Sequence, residues 1–164
     1  MRYTIVPGPL GEMTLAGPRP DVLSHLAFAG QRYEPAIGEG WQRDDTAFPE
    51  ATRQLAAYFA GDLKEFDLTF EVVGSEFRRR VWDALDTVPY GTTVTYGALA
   101  VAAGLPANAS RAVGGAVGHN PISVIRPCHR VVGANGTLTG YAGGVDRKRH
   151  LLTLEGHLGQ GLLL

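Results

Sequence analysis

In the first 75 residues, apolar positions come in short clusters separated by glycine and proline. Arg2–Val6, Met13–Ala16 and Leu23–Phe28 have the length and content of strands. Pro7-Gly8-Pro9 and Gly17-Pro18-Arg19-Pro20 interrupt them, which predicts an antiparallel meander. Residues 30–48 show no period and predict an irregular loop around Gly38 and Gly40. From Pro49 the spacing changes, with Leu55, Tyr58 and Phe59 on one face of a helix that Gly61 closes. Phe66–Val72 predicts a returning strand. His25 lies in an apolar stretch and is expected to be a packed structural residue.

Beyond Gly74-Ser75 the pattern turns helical. Ser75 is placed to cap a helix whose stripe is Phe77, Val81, Trp82 and Leu85, ended by Pro89-Tyr90-Gly91. Arg78, Arg79 and Arg80 then face largely outward. Thr95 caps a second helix, Tyr96 to Ala103, which Gly104 stops in a left-handed conformation. Pro106 opens a third, running to about Gly118. Helix, glycine turn, helix is the helix-turn-helix pattern, although generic helix pairs share it. The third helix is nearly bare, since Ala109, Ala112, Gly114, Gly115 and Ala116 surround one long cation, Arg111. Glycine inside a helix costs about 1 kcal/mol relative to alanine. Either a rigid external surface approaches closely there, or another helix packs tightly. The whole predicts an α/β protein in two domains, 1–74 and 75–164: a small antiparallel sheet with a helix, then a mostly helical part carrying the chemistry.

Charge divides along the same line. Residues 1–74 hold 6 basic and 11 acidic side chains (net −5), and residues 75–164 hold 9 basic and 5 acidic (net +4). A modest basic half is compatible with a phosphate backbone or with an ordinary solvated surface. The composition, 45% apolar and 19% charged, is that of a soluble globular protein. No apolar run reaches the roughly 18 residues of a membrane helix, and the N-terminus lacks a secretory h-region.

One cysteine in 164 residues excludes an intrachain disulfide and a multi-cysteine zinc site, so a reducing, cytoplasmic setting is expected. That cysteine stands in Pro127-Cys128-His129-Arg130-Val131-Val132. Most lone cysteines are small buried hydrophobes. The imidazole and guanidinium beside this one could instead hold the sulfur as thiolate, and the six residues alone do not decide between the two.

The order and spacing of Thr95-Tyr96-Gly97, Ser110-Arg111-Ala112-Val113-Gly114-Gly115-Ala116, Gly118-His119-Asn120-Pro121 and the cysteine hexapeptide carry a resemblance. Gly140-Tyr141-Ala142-Gly143-Gly144 and Leu154-Glu155-Gly156 extend it. The chain resembles the methylated-DNA–protein-cysteine methyltransferases, the O6-alkylguanine-DNA alkyltransferases, in detail over about residues 75–156. The resemblance implies a winged helix-turn-helix domain and irreversible, single-turnover transfer of an alkyl group from O6-alkylguanine, or O4-alkylthymine, to the protein's own cysteine. It implies no cofactor, no metal and a monomer that engages damaged duplex DNA through the minor groove and flips the base out.

Residue by residue, the resemblance makes Cys128 the acceptor, His129 its base through a water, Glu155 the group orienting the imidazole, and Asn120 the brace of the active-site turn. Tyr96 would reach the flipped base, Tyr141 would wall the pocket, the Ala142 N–H would face O6, and carbonyls near Cys128 and Val131 would meet the exocyclic amine. Ser123 stands in the active-site loop, where it bears on the size of adduct admitted. Arg111 would fill the vacated stack, while Ala112, Gly114 and Gly115 let the helix press into the groove. Arg147, Lys148 and Arg149 are expected to form a solvated or phosphate-facing cluster. Two other readings stand beside this one: a lesion-binding protein without transfer, and a cysteine hydrolase using Cys128, His129 and Glu155.

Overall fold

The computed structural model describes residues 1–157, so the last seven positions of the 75–164 expectation lie outside the described residues. The chain forms two compact units. The first is Met1–Val73 together with Pro121–Ile125, and the second is Gly74–Asn120 with the chain from Arg126 onward.

In the first unit β1 (Arg2–Val6), β2 (Met13–Gly17) and β3 (His25–Phe28) form the expected antiparallel meander. Met13, Leu15, Leu26 and Phe28 are buried along it. A fourth strand, β4 (Gln42–Arg43), adds parallel to β1 from inside the stretch expected to be irregular, so the sheet is mixed with order β3-β2-β1-β4. Helix α1 (Pro49–Phe59) buries Ala51, Leu55 and Tyr58. The expected strand at 66–72 is reduced to one parallel bridge, Leu23 to Phe70. Gln54 explains the difference: its side chain donates to the Asp67 carbonyl at 3.0 Å and accepts from the Asp67 N–H at 2.9 Å, taking groups a ladder would use. His25 is half-buried, bonded to Ser24 at 2.8 Å and lying 5.7 Å from the Trp41 ring.

Pro121–Ile125 extends this unit. The Leu26 N–H donates to the Pro121 carbonyl at 2.9 Å, and the Ser123 N–H returns to the Leu26 carbonyl at 3.1 Å. Within this short segment Val124 sits at φ 71°. A β-branched side chain rarely adopts that conformation, and such strain costs on the order of 1–3 kcal/mol.

The second unit opens with α2 (Glu76–Leu85), where the Ser75 hydroxyl accepts from the Arg78 N–H at 3.2 Å. Arg80 does not simply face water, because it donates to the Ala103 and Gly104 carbonyls at 3.0 and 3.2 Å. Strand β5 (Val94–Thr95) leads into α3 (Tyr96–Ala102), capped by Thr95 through the Ala98 N–H at 3.1 Å, with Gly104 at φ +78° beyond it. Pro106 precedes a 3₁₀ turn, Ala107–Ala109, so α4 spans only Ser110–Gly118. After a 3₁₀ turn at Cys128–Arg130 come β6 (Val131–Val132) and α5 (Val145–Leu154). Val81, Leu85, Leu99, Ala100, Val113, Val117, Cys128 and Val131 share one apolar core.

Candidate active site

Two very short strands place the chemistry. β5 pairs in parallel with β6, Val94 opposite Val131 and Thr95 opposite Val132. The residue after β5 is Tyr96, and the turn before β6 is Cys128–Arg130. A strand start and a strand end far apart in sequence therefore become neighbours.

Cys128 is 4% exposed. Its N–H donates to the Arg126 carbonyl at 2.8 Å, and Asn120 Nδ2 donates to the same oxygen at 3.1 Å, so Asn120 braces the turn. Burial pushes the thiol above its ordinary range, and hydrogen bonds from Asn120 and Tyr141 and the charge of Lys148 offset this only in part. The expectation of a standing thiolate held by His129 and Arg130 is thus corrected. The resting group is a protonated thiol, and the Arg130 guanidinium is engaged elsewhere.

Its engagement is with Glu155. Arg130 Nε donates to Oε1 at 2.8 Å, Nη2 to Oε2 at 3.0 Å, and Nη1 to the Val88 carbonyl at 2.7 Å. His129 Nε2 lies 2.7 Å from Glu155 Oε2, with both side chains fully buried. A carboxylate only accepts, so Nε2 carries the hydrogen and the neutral ring keeps its lone pair at Nδ1. Nδ1 is buried and has no partner among the described residues. Burial drives the imidazole below its ordinary range, against the opposing pull of Glu155. A neutral imidazole with a fixed tautomer is a competent base near pH 7.

Lys148 is the residue that the sequence misplaces. It is fully buried, not solvated. Its Nζ donates to the carbonyls of Val131, Thr139 (2.9 Å) and Gly140 (3.2 Å). Arg147 and Arg149 are half-buried, with Arg147 on the Gly143 carbonyl at 3.1 Å and Arg149 on Asp146 at 3.4 Å. Lys148 ties the strand after the cysteine to the turn before Tyr141. The signal was present: Leu151 and Leu152, three and four residues on, put Lys148 on the buried face of α5.

Desolvation lowers Lys148 from 10.5 to about 8. Below pH 8 both folded and unfolded chains hold this proton. Between about 8 and 10.5 the unfolded chain alone retains it, so this group makes stability rise with pH across that window. The difference corresponds to about 3 kcal/mol. The raised Cys128 thiol acts in the opposite sense, so urea titrations at pH 7.5, 8.5 and 9.5 are made on Cys128→Ser, where this rise should appear and where adding Lys148→Met should abolish it. An unchanged slope in the variant would refute the assignment.

The remaining expected residues fall into three places. Tyr96 is half-buried, and its hydroxyl donates to the Thr139 carbonyl at 3.4 Å. Desolvation raises its phenol, which keeps it a neutral donor. Tyr141 and Ala142 are half-buried beyond the Lys148-held turn, and the Val131 carbonyl accepts from Lys148. Arg111, Ala112 and Gly115 are exposed on α4. A Cβ on Gly115 would meet nothing within 4 Å, and one on Gly114 would make ordinary contact with the Tyr96 ring at 3.7 Å. Packing within the unit therefore does not demand glycine at either position. Ser123 belongs to the first unit, where it is buried.

Known proteins give this geometry its context. Residues 1–72 match the family described as 6-O-methylguanine DNA methyltransferase, ribonuclease-like domain, and residues 76–157 match its DNA binding domain. The chain belongs to the methylated-DNA–protein-cysteine methyltransferases. A family member from Mycolicibacterium paratuberculosis is 54% identical over 155 residues, 94% of this chain and 92% of that protein. Another, from Methanosarcina acetivorans, is 49% identical over 156 residues, 95% of this chain and 99% of the relative. Among solved structures, Mycobacterium tuberculosis OGT in complex with DNA superposes with a TM-score of 0.91 at 51% identity, covering 95% of this chain and 93% of that one.

Proposed function

We propose that this chain repairs alkylated duplex DNA by moving the alkyl group of O6-alkylguanine, and of O4-alkylthymine, irreversibly onto Cys128. The observation that carries the reading is a lone buried thiol beside a neutral imidazole whose tautomer is fixed by Glu155. The Cys128 proton passes to His129 Nδ1 through a water. The sulfur attacks the alkyl carbon in line, the carbon–O6 bond breaks with its electron pair going to the base, and a thioether remains. The departing guanine anion takes its proton from the Tyr96 hydroxyl, which donates to the Thr139 carbonyl in this structure, and the proton held on His129 returns through water to restore the phenol. A thioether offers no facile return, so each molecule acts once and without a cofactor.

A base inside a duplex hides its O6 substituent, so the nucleotide is flipped out at a cost of a few kcal/mol. The bare, exposed face of α4 suits the minor groove, and Arg111 takes the place of the extruded base. The protein works as a monomer in a reducing cytoplasm.

Whole-protein mass after incubation with a duplex containing one O6-methylguanine tests the reading. A stoichiometric gain of one methyl group supports it. Binding without mass change would make the protein a lesion binder, and sustained ester or peptide turnover would make it a hydrolase.

Arg111→Ala separates flipping from chemistry. We expect duplex repair to slow by about a hundredfold, since unstacking costs a few kcal/mol per step. Reaction with free O6-benzylguanine, which needs no flipping, should stay within about twofold of the unmodified protein. Equal losses on both substrates, measured as single-turnover rates, would reject the finger role.

A further inference from the structure

Within the apolar run that leads to the cysteine, one residue is out of place. Arg126 is a cation between Ile125 and Pro127, and its side chain is only 3% exposed. A buried guanidinium is costly unless its geometry is well satisfied. Here Nε donates to Asp86 Oδ1 at 3.0 Å and Nη2 to Asp86 Oδ2 at 3.2 Å, a two-pronged pair that fixes orientation as well as position. The guanidinium carbon lies 5.2 Å from the centre of the Trp82 ring. The Trp82 indole in turn donates to the Ala116 carbonyl of α4 at 2.9 Å. One side chain thus anchors the returning chain to α2, through the residue that ends it and a tryptophan bonded to α4.

The main chain of the same residue does the work at the site. The Arg126 carbonyl accepts from both the Cys128 N–H and Asn120 Nδ2, and Asn120 also hydrogen-bonds the thiol. We propose that Arg126 is a positioning residue for alkyl transfer: locked on Asp86 and Trp82, it holds its carbonyl where that oxygen orients the Cys128 turn and the Asn120 side chain. In-line displacement is intolerant of misplacement, with about 1 Å of error costing on the order of a hundredfold in rate. An aliphatic residue would fill the space without fixing the direction of the carbonyl. A lysine would supply the charge without the second prong.

The inference rests on Cys128 being the acceptor, and its test is built to fail separately from that reading. Arg126→Met, Arg126→Lys, Asp86→Asn and the double Arg126→Met/Asp86→Asn are compared at a temperature well below each unfolding midpoint. The expected result is a loss of about tenfold to a hundredfold in single-turnover methyl transfer, equal on duplex and on free O6-benzylguanine, with duplex affinity within about twofold. The double variant, which leaves no unpaired buried charge, should recover stability but not rate. Iodoacetamide labelling of Cys128 against pH gives a readout independent of transfer. Loosening Asn120 removes a stabiliser of the thiolate, so the labelling profile should move to higher pH in every variant. Lower unfolding midpoints with unchanged transfer rates and an unmoved labelling profile would overturn the proposal. If the unmodified protein transferred nothing, the functional reading would fall and the role in transfer with it, and the labelling profile would still decide whether Arg126 orients the Cys128 turn.

Discussion

Cys128→Ser is expected to reduce alkyl transfer to background while leaving duplex affinity within about twofold. The hydroxyl is a far weaker nucleophile than sulfur near neutral pH, even with His129 beside it. The burial that raises the thiol would hold an alkoxide still further out of reach. The readout is clean because Cys128 is the one cysteine in the sequence, so a methyl thioether has a single place to form. The variant should also fold. A serine hydroxyl fits the volume, and the Asn120 and Tyr141 groups that hydrogen-bond the sulfur are available to the oxygen. Cys128→Ala serves as a second variant should the hydroxyl prove unwelcome in the apolar surroundings. Mass spectrometry after incubation with methylated duplex, alongside a binding titration, decides the matter. Methylated Cys128→Ser at near the normal rate would place the acceptor on another side chain. Loss of binding in both variants would instead show that the thiol supports the fold.

The helical half was legible in the sequence because its signals are local. Ser75 and Thr95 cap the helices that follow them, and Gly104 takes the left-handed conformation that ends one of those helices. Each of these is settled by the chemistry of four or five consecutive residues. The features that were missed depend on partners far along the chain. Gln42 and Arg43 become a strand only because β1 offers a free edge, and residues 66–72 fail to become one because Gln54 intervenes. The cysteine, histidine, asparagine and glutamate that the fold brings together were expected as a group through the family motifs. Their electrostatics were not, since adjacency in sequence suggested that Arg130 would serve the sulfur. In the fold it serves Glu155. Lys148 and Arg126 carry the same lesson. Both are cations in stretches whose apolar neighbours face inward, and each is buried because distant carbonyls or a distant carboxylate receive it. A charged residue on the buried face of a helix or turn is therefore the better signal of an organised site.

Glu155 is where stability and chemistry meet, and Glu155→Gln should damage both. The carboxylate serves two buried donors at once, with Oε1 on Arg130 and Oε2 shared by Arg130 and His129. An amide removes the countercharge from a guanidinium that is 10% exposed. Breaking a buried pair from one side costs about 3–5 kcal/mol, which for a chain of this size lowers the unfolding midpoint by roughly 10 °C. The amide also offers one acceptor where the carboxylate had two oxygens, so Nε2 of His129 is no longer obliged to carry the hydrogen. If the proton moves to Nδ1, the lone pair faces the wrong way and general-base assistance is lost, a factor of about 10² to 10⁴. The double variant Glu155→Gln/Arg130→Met separates the two effects. It removes the unpaired charge and should recover much of the stability, but it restores nothing to the imidazole, so alkyl transfer should stay slow. Thermal unfolding and single-turnover rates on the two variants test this directly. A double variant that regained the normal rate along with its stability would show that Glu155 acts on the fold and not on His129.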